Sequence, residues 1–187
     1  VAVLRVGGVI VYPTDSCYAL GCRIGEKEAL ERIRRIRDLD EKHNLTLMCR
    51  DLSELAIYAR VGNTAFRMMK SLTPGPYTFL LAATRDVPRR LQHPKRKTIG
   101  VRVPDNAIAL ALLESLSEPI FSTSLILPKE TLPLTDPGEI NERLGQQVDL
   151  VMDGGVCGFE PTTVIDLTEE PPVIVRKGKG RVMAIGS

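Results

Sequence analysis

Eight short runs rich in Val, Ile, Leu and Thr, each bounded by Pro, Gly or Asp, most constrain how this chain can fold. They lie at residues 9–12, 45–49, 77–83, 99–103, 120–125, 148–152, 163–167 and 173–176. Their length and β-branched content predict strands. Between several of them the apolar period changes to that of a helix. Residues 26–37 place Ala29, Leu30, Ile33 and Ile36 on one face, residues 63–72 open on a capping Asn63, and residues 106–116 carry a leucine-rich face. The strongest local signal is Asp136-Pro137-Gly138-Glu139, with a capping aspartate, proline at the first helical position and glutamate three residues after the cap. It predicts a helix over 136–146. Strands and helices alternate, but some strands are too close in sequence for a helix between them. The expected fold is α/β, a three-layer domain with a twisted mixed β-sheet flanked by helices, formed by residues 1–187 as one domain.

Length and patterning remove several classes of function. No apolar run approaches the roughly 20 residues that span a bilayer, and no signal-peptide pattern is present, so a cytoplasmic protein is expected. The first residue is Val1, not Met, and sequence is expected to precede it. Cys17, Cys22, Cys49 and Cys157 form no CxxC pair, and His43 and His93 are the only histidines, which argues against a structural zinc site and for reduced thiols. Charge is distributed unevenly. Residues 1–104 carry 19 Lys/Arg against 10 Asp/Glu, residues 105–170 carry 2 against 13, and Arg176, Lys177, Lys179 and Arg181 follow. Such segregation predicts a surface that attracts phosphates, nucleotides or a nucleic-acid backbone.

The familiar phosphate-binding and hydrolytic motifs are absent: no GxxxxGK[ST], no GxGxxG after a strand, no GxSxG and no HExxH. A bound nucleotide would have to be held by cationic side chains and hydroxyls. Hydroxyls cluster at strand ends, at Thr14/Ser16, Ser122-Thr123-Ser124 and Thr162-Thr163. Each cluster could serve its own turn by bonding local backbone, or all three could line one crevice at a sheet edge. In the Arg-rich helix, Arg32 and Arg35 follow Glu28 and Glu31 at ion-pair spacing, whereas Arg34 and Arg37 lie nearer the apolar face. Since each helical residue advances about 100°, Arg35 and Arg37 reach one ligand only if the helix ends by about residue 35. The segment 85–102, RDVPRRLQHPKRKTIGVR, holds seven Lys/Arg against Asp86 alone. It reads as a solvated loop feeding a strand, either merely soluble or suited to phosphates. With no Trp and few aromatics nearby, stacking on single strands is disfavoured.

The motifs YPTDSCYALG, PGPYTFLL, KTIGVRVP, STS after an apolar strand, PTTVIDL and VIVRKGKG occur in the order found in the YrdC/YciO-like family. The chain resembles that family from Gly8 to about Gly180, most closely its YciO branch through RIRDL and HNLTLMCRDLSEL. The resemblance implies a twisted mixed sheet with a cationic concave face. It also implies a threonylcarbamoyl-AMP synthase type of activity, in which threonine, bicarbonate and ATP with Mg2+ give threonylcarbamoyl-AMP and pyrophosphate for tRNA modification. By motif, Thr14, Ser16, Arg102 and Thr162 would bind threonine, and Arg35, Arg37, Thr98, Ser122, Ser124 and Arg176 the nucleotide. The catalytic residue is not specified, and neither a resident metal nor a permanently bound cofactor is implied. The chain departs from the family at Arg35, where a lysine is usual, at Ile126, where an asparagine is usual, and at Ala19, often glycine. Family members have also been linked to double-stranded RNA. An RNA-binding protein of translation or ribosome biogenesis, using Arg89, Arg90, Lys95, Arg96 and Lys97, is therefore the alternative.

Overall fold

In the computed structural model, residues 1–182 are described except 41, 42 and 44; the expected domain's last residues, 183–187, lie outside the described set. Nine strands form one mixed sheet: β1 (Ile10–Tyr12), β2 (Ala19–Arg23), β3 (Thr46–Met48), β4 (Tyr77–Ala82), β5 (Thr98–Arg102), β6 (Ile120–Ser124), β7 (Leu150–Val151), β8 (Thr163–Asp166) and β9 (Val173–Arg176). Their order is β7-β1-β2-β6-β3-β5-β4-β8-β9. The pairs β1–β7, β3–β5 and β4–β8 are parallel and the others antiparallel.

Among the described residues six α-helices accompany the sheet: α1 (Ala2–Arg5), α2 (Lys27–Arg37), α3 (Leu52–Tyr58), α4 (Asn63–Leu72), α5 (Ala107–Leu116) and α6 (Pro137–Leu144). One face of the sheet buries its larger apolar side chains, among them Leu20, Leu47, Phe79, Val101 and Phe121, under α2, α3, α4 and α6. On the opposite face α1 and α5 pack over Ile10, Tyr12, Ala19, Met48 and Ile120, and this cluster draws on no residue of β4, β5, β8 or β9. The three-layer mixed sheet is thus as expected, with one layer incomplete. Where that layer stops, the same face continues as a polar concavity.

The structure differs from the sequence reading at three elements. Residues 19–23 form a central strand, although Ala-Leu-Gly-Cys-Arg has little β-branched content; its ladders to β1 and β6 hold it instead. Helix α3 went unrecognised although Asp51 and Glu54 stand at capping spacing; Asp51 Oδ1 accepts from Glu54 N at 2.8 Å, and Glu54 Oε1 accepts from Arg50 N at 3.0 Å. Gly62, not Asn63, caps α4. The Asp136 cap is as read, with Oδ1 accepting from Gly138 N at 2.8 Å.

Candidate functional site

Alternation along the strands builds the site. Register places Thr46 beside Gly100 and Ser122, Met48 beside Arg102, Thr78 beside Val164, and Ala19 beside Ser124, all on the face that α5 leaves partly open. Apart from Gly100, these residues line a cleft of about 380 Å³ together with Thr14, Ser16, Cys17, Arg37, His43, Thr162 and Arg176.

The turn between β1 and β2 forms one end. Thr14 Oγ1 accepts from Ser16 N at 3.1 Å and Cys17 N at 3.2 Å and donates to the Cys17 carbonyl at 2.6 Å, so it staples the turn. Ser16 Oγ, 3.1 Å from Thr14 Oγ1, then accepts from Arg102 Nη1 at 3.0 Å. Arg102 Nη2 pairs with Asp15 Oδ1. The same turn is held from two remote segments: Tyr18 Oη accepts from Gly154 N at 3.0 Å and donates to the Gly155 carbonyl at 2.6 Å, while Lys179 Nζ donates to the Asp15 carbonyl. Both readings of the hydroxyl cluster therefore apply. Thr14 serves its own turn and also faces the cleft.

The other walls come from α2, β6, β8 and β9. Helix α2 runs through Arg37 and stops at Asp38, whose φ of 53° is left-handed. Arg37 Nη1 donates to Thr123 Oγ1 at 2.7 Å and to the Ser124 carbonyl. Arg176 donates to the Thr162 carbonyl and to Thr162 Oγ1, both at 3.0 Å, and Thr162 Oγ1 lies 2.8 Å from Thr78 Oγ1. Ser122 Oγ accepts from the buried Tyr12 hydroxyl at 2.7 Å.

Burial sets the electrostatics. Arg102 is 5% exposed, and burial pushes its guanidinium down to about 10, so it stays charged at neutral pH. Burial likewise lowers Arg37 and Arg176. At the rim, His43 is held below the usual imidazole range by desolvation and then by the Arg37 charge. Burial raises the Cys17 thiol, which leaves it unsuited to nucleophilic attack. The Nε atoms of Arg37 and Arg102 are buried without hydrogen-bond partners. Among the described residues no group of three or more His, Cys, Asp or Glu is placed to hold a metal. Converging guanidinium groups and hydroxyls suit binding and orienting anions.

Of the residues singled out from sequence, the cleft brings together Thr14, Ser16, Arg37, Arg102, Ser122, Ser124, Thr162 and Arg176. Arg35 is exposed and does not line it, because the helix continues past position 35 and turns that side chain away. Thr98 is buried with its hydroxyl unpartnered, and it also lies outside the lining. The basic loop joins β5 at Thr98, about 13 Å along the strand from Arg102. Arg89, Arg90, Lys95, Arg96 and Lys97 are exposed there, but Arg96 is engaged, donating to the buried Asp166 at 2.7 Å. Sequence reasoning missed Cys17, Thr46 and Thr78 as lining residues. For Thr46 and Thr78 a signal existed: a hydroxyl at alternate positions in otherwise apolar strands.

The architecture is the YrdC fold, and comparison with known proteins identifies the family. The family described as "Telomere recombination", comprising Sua5, YciO and YrdC proteins, matches residues 2–178. The chain belongs to the Sua5/YciO/YrdC family. It is 62% identical to the YciO protein of Escherichia coli K12 over 97% of this chain and 88% of that protein. The crystal structure of E. coli YciO superposes with a TM-score of 0.95 at 61% identity, covering 98% of this chain and 89% of that one. Threonylcarbamoyl-AMP synthase of Pyrococcus abyssi is 31% identical over 94% of this chain, which spans only 52% of that protein. The structure of P. abyssi Sua5 complexed with L-threonine gives a TM-score of 0.87 at 29% identity, covering 95% of this chain and 52% of that one.

Proposed function

We propose that this chain binds threonine and a nucleoside triphosphate in the cleft and acts as a threonylcarbamoyl-AMP synthase-type nucleotidyltransferase. The observation that carries the reading is the meeting of Arg102 and Ser16 with Arg37 and Arg176 in one concavity of about 380 Å³. A small acid fits at the Arg102 end, where Ser16 and Thr14 add hydroxyls. Phosphates fit at Arg37 and Arg176, with Mg2+ arriving on the nucleotide. The relative complexed with L-threonine supports threonine as one of the two ligands.

In the proposed reaction, the threonine amine bonds to the bicarbonate carbon as the C–OH bond breaks and water leaves, and an oxygen of the resulting carbamate attacks the α-phosphorus. The bond from that phosphorus to the bridging oxygen breaks, and pyrophosphate leaves. The protein's part is to align two anions and to neutralise charge as it grows on the phosphoryl oxygens. Guanidinium groups do this without a covalent intermediate.

Calorimetric titration with ATP and Mg2+, with and without threonine and bicarbonate, followed by a pyrophosphate assay, tests the reading. Threonine-dependent binding and pyrophosphate release are expected, and Arg37→Met should weaken nucleotide binding at least tenfold. Absence of both binding and release would overturn it.

A second reading, duplex RNA binding, is favoured by the exposure of Arg89, Arg90, Lys95 and Lys97 on one loop. If it holds, neutralising Lys95 and Lys97 flattens the salt dependence of RNA affinity. An unchanged slope would remove it.

A further inference from the structure

The cationic groups of the cleft differ in one respect that bears on which ligand each can take. Arg102 has a carboxylate in contact, Asp15, contributed by the turn that also supplies Ser16. The Asp15 side chain is 10% exposed and that of Arg102 is 6% exposed, so little solvent screens the pair. Among the described residues, no carboxylate stands at ion-pair distance from Arg37 or Arg176. Among the described residues those two are bonded only to neutral oxygens, of Thr123, Ser124 and Thr162. At one end of the cleft Arg102 is therefore matched by Asp15, with the Lys179 ammonium on the Asp15 backbone carbonyl, whereas among the described residues no carboxylate matches Arg37 or Arg176 at the other.

We propose that Asp15 is a specificity-determining residue that sorts ligand groups by charge, keeping phosphate off Arg102 and directing it to Arg37 and Arg176. A polyanion brought against Arg102 meets Asp15 as a like charge, a contact with little water to soften it. A group of single charge meets a smaller repulsion and still finds N–H donors. The Ser16 and Asp15 bonds each use one Nη hydrogen, and Nε has no partner. A zwitterionic amino acid, neutral overall, is excluded least. The inference rests on the proposed ligands for its biological meaning, but the sorting itself needs only simple anions to be seen.

The test is calorimetric titration with inorganic tripolyphosphate and, separately, with L-threonine. It compares the unmodified chain, Asp15→Asn, Arg37→Met and the double variant. Asparagine retains a carbonyl that can accept from Arg102, and Asp15→Ser is carried in parallel, with thermal melts confirming that both fold. In the unmodified chain Arg37→Met should cut tripolyphosphate affinity at least tenfold. Asp15→Asn should raise that affinity at least tenfold, and tripolyphosphate should then compete with threonine. In the Asp15→Asn background Arg37→Met should cut tripolyphosphate affinity less than tenfold, because Arg102 has become a second phosphate site. If Asp15→Asn and Asp15→Ser both leave tripolyphosphate affinity within twofold, or the double variant behaves as Arg37→Met alone, the proposal is overturned. Failure of the unmodified chain to bind threonine would instead overturn the function proposed above, while the tripolyphosphate titrations still decide the sorting.

Discussion

The hydroxyl of Tyr12 donates to Ser122 Oγ at 2.7 Å, joining a core residue packed under α5 to a hydroxyl that lines the cleft. Burial raises the Tyr12 phenol far above its ordinary value, so it remains a donor at any pH the fold survives. Tyr12→Phe keeps the ring in place and removes the donor. A loss of about 0.5–1.5 kcal/mol is expected, read from urea midpoints at unchanged slope. The same variant should weaken whichever ligand Ser122 touches, through a freer serine rotamer.

Phe121 is fully buried in β6, flanked by Cys22 of β2 and Leu47 of β3. Phe121→Ala leaves a cavity beneath the strand that carries Ser122 and Ser124. A destabilisation of about 3–5 kcal/mol is expected, a large share of the roughly 5–15 kcal/mol that holds a domain folded. Denaturant titration measures it.

Glu54 gives a pH dependence of unusual sign. Its carboxyl is held above the ordinary 4.5, chiefly by burial, against the opposing hydrogen bond from Arg50 N. The folded state thus keeps this proton at pH values where the unfolded chain has lost it. Its contribution to stability is present below the unfolded value and is lost as pH rises through the raised one. Glu54→Gln retains an acceptor for Arg50 N and cannot ionise. The variant should lose less stability than the parent between pH 4.5 and neutrality, as seen in urea midpoints across that range.

Gly178 sits where the segment after β9 crosses β8. A Cβ there would stand 2.3 Å from the Pro161 carbonyl oxygen and 2.5 Å from that of Thr162, both backbone atoms that cannot step aside. Gly178→Ala must lift the segment, and with it Lys179, whose ammonium bonds the Asp15 carbonyl. A loss of about 1–3 kcal/mol is expected, with faster proteolytic cleavage after Arg176. Protection like that of the parent would show that the crossing contributes little.

What the sequence determined by itself was the set of features written in local periodicity and turn chemistry. These are the apolar strands, the amphipathic faces of α2, α4 and α5, the Asp136 cap, and hydroxyls gathered at strand ends. They suffice for a mixed α/β sheet with a polar edge, because burial of a face and satisfaction of a cap are decided within a few residues. The order of six motifs added the family.

Tertiary structure decided everything that depends on where a chain end or a long side chain finally lies. Arg35 and Arg37 are two residues apart, yet only the continuation of α2 to Asp38 sends one to solvent and the other to Thr123. Asp15 and Arg102 are 87 positions apart, and no local pattern announces that they meet. Arg96 looks from sequence like one more free cation, but the parallel pairing of β4 and β8 brings Asp166 within its reach. Strand β2 has weak intrinsic preference and exists because β1 and β6 offer it two ladders. In the last three cases the deciding interaction joins segments distant in sequence, and its partner becomes definite only when the sheet is assembled.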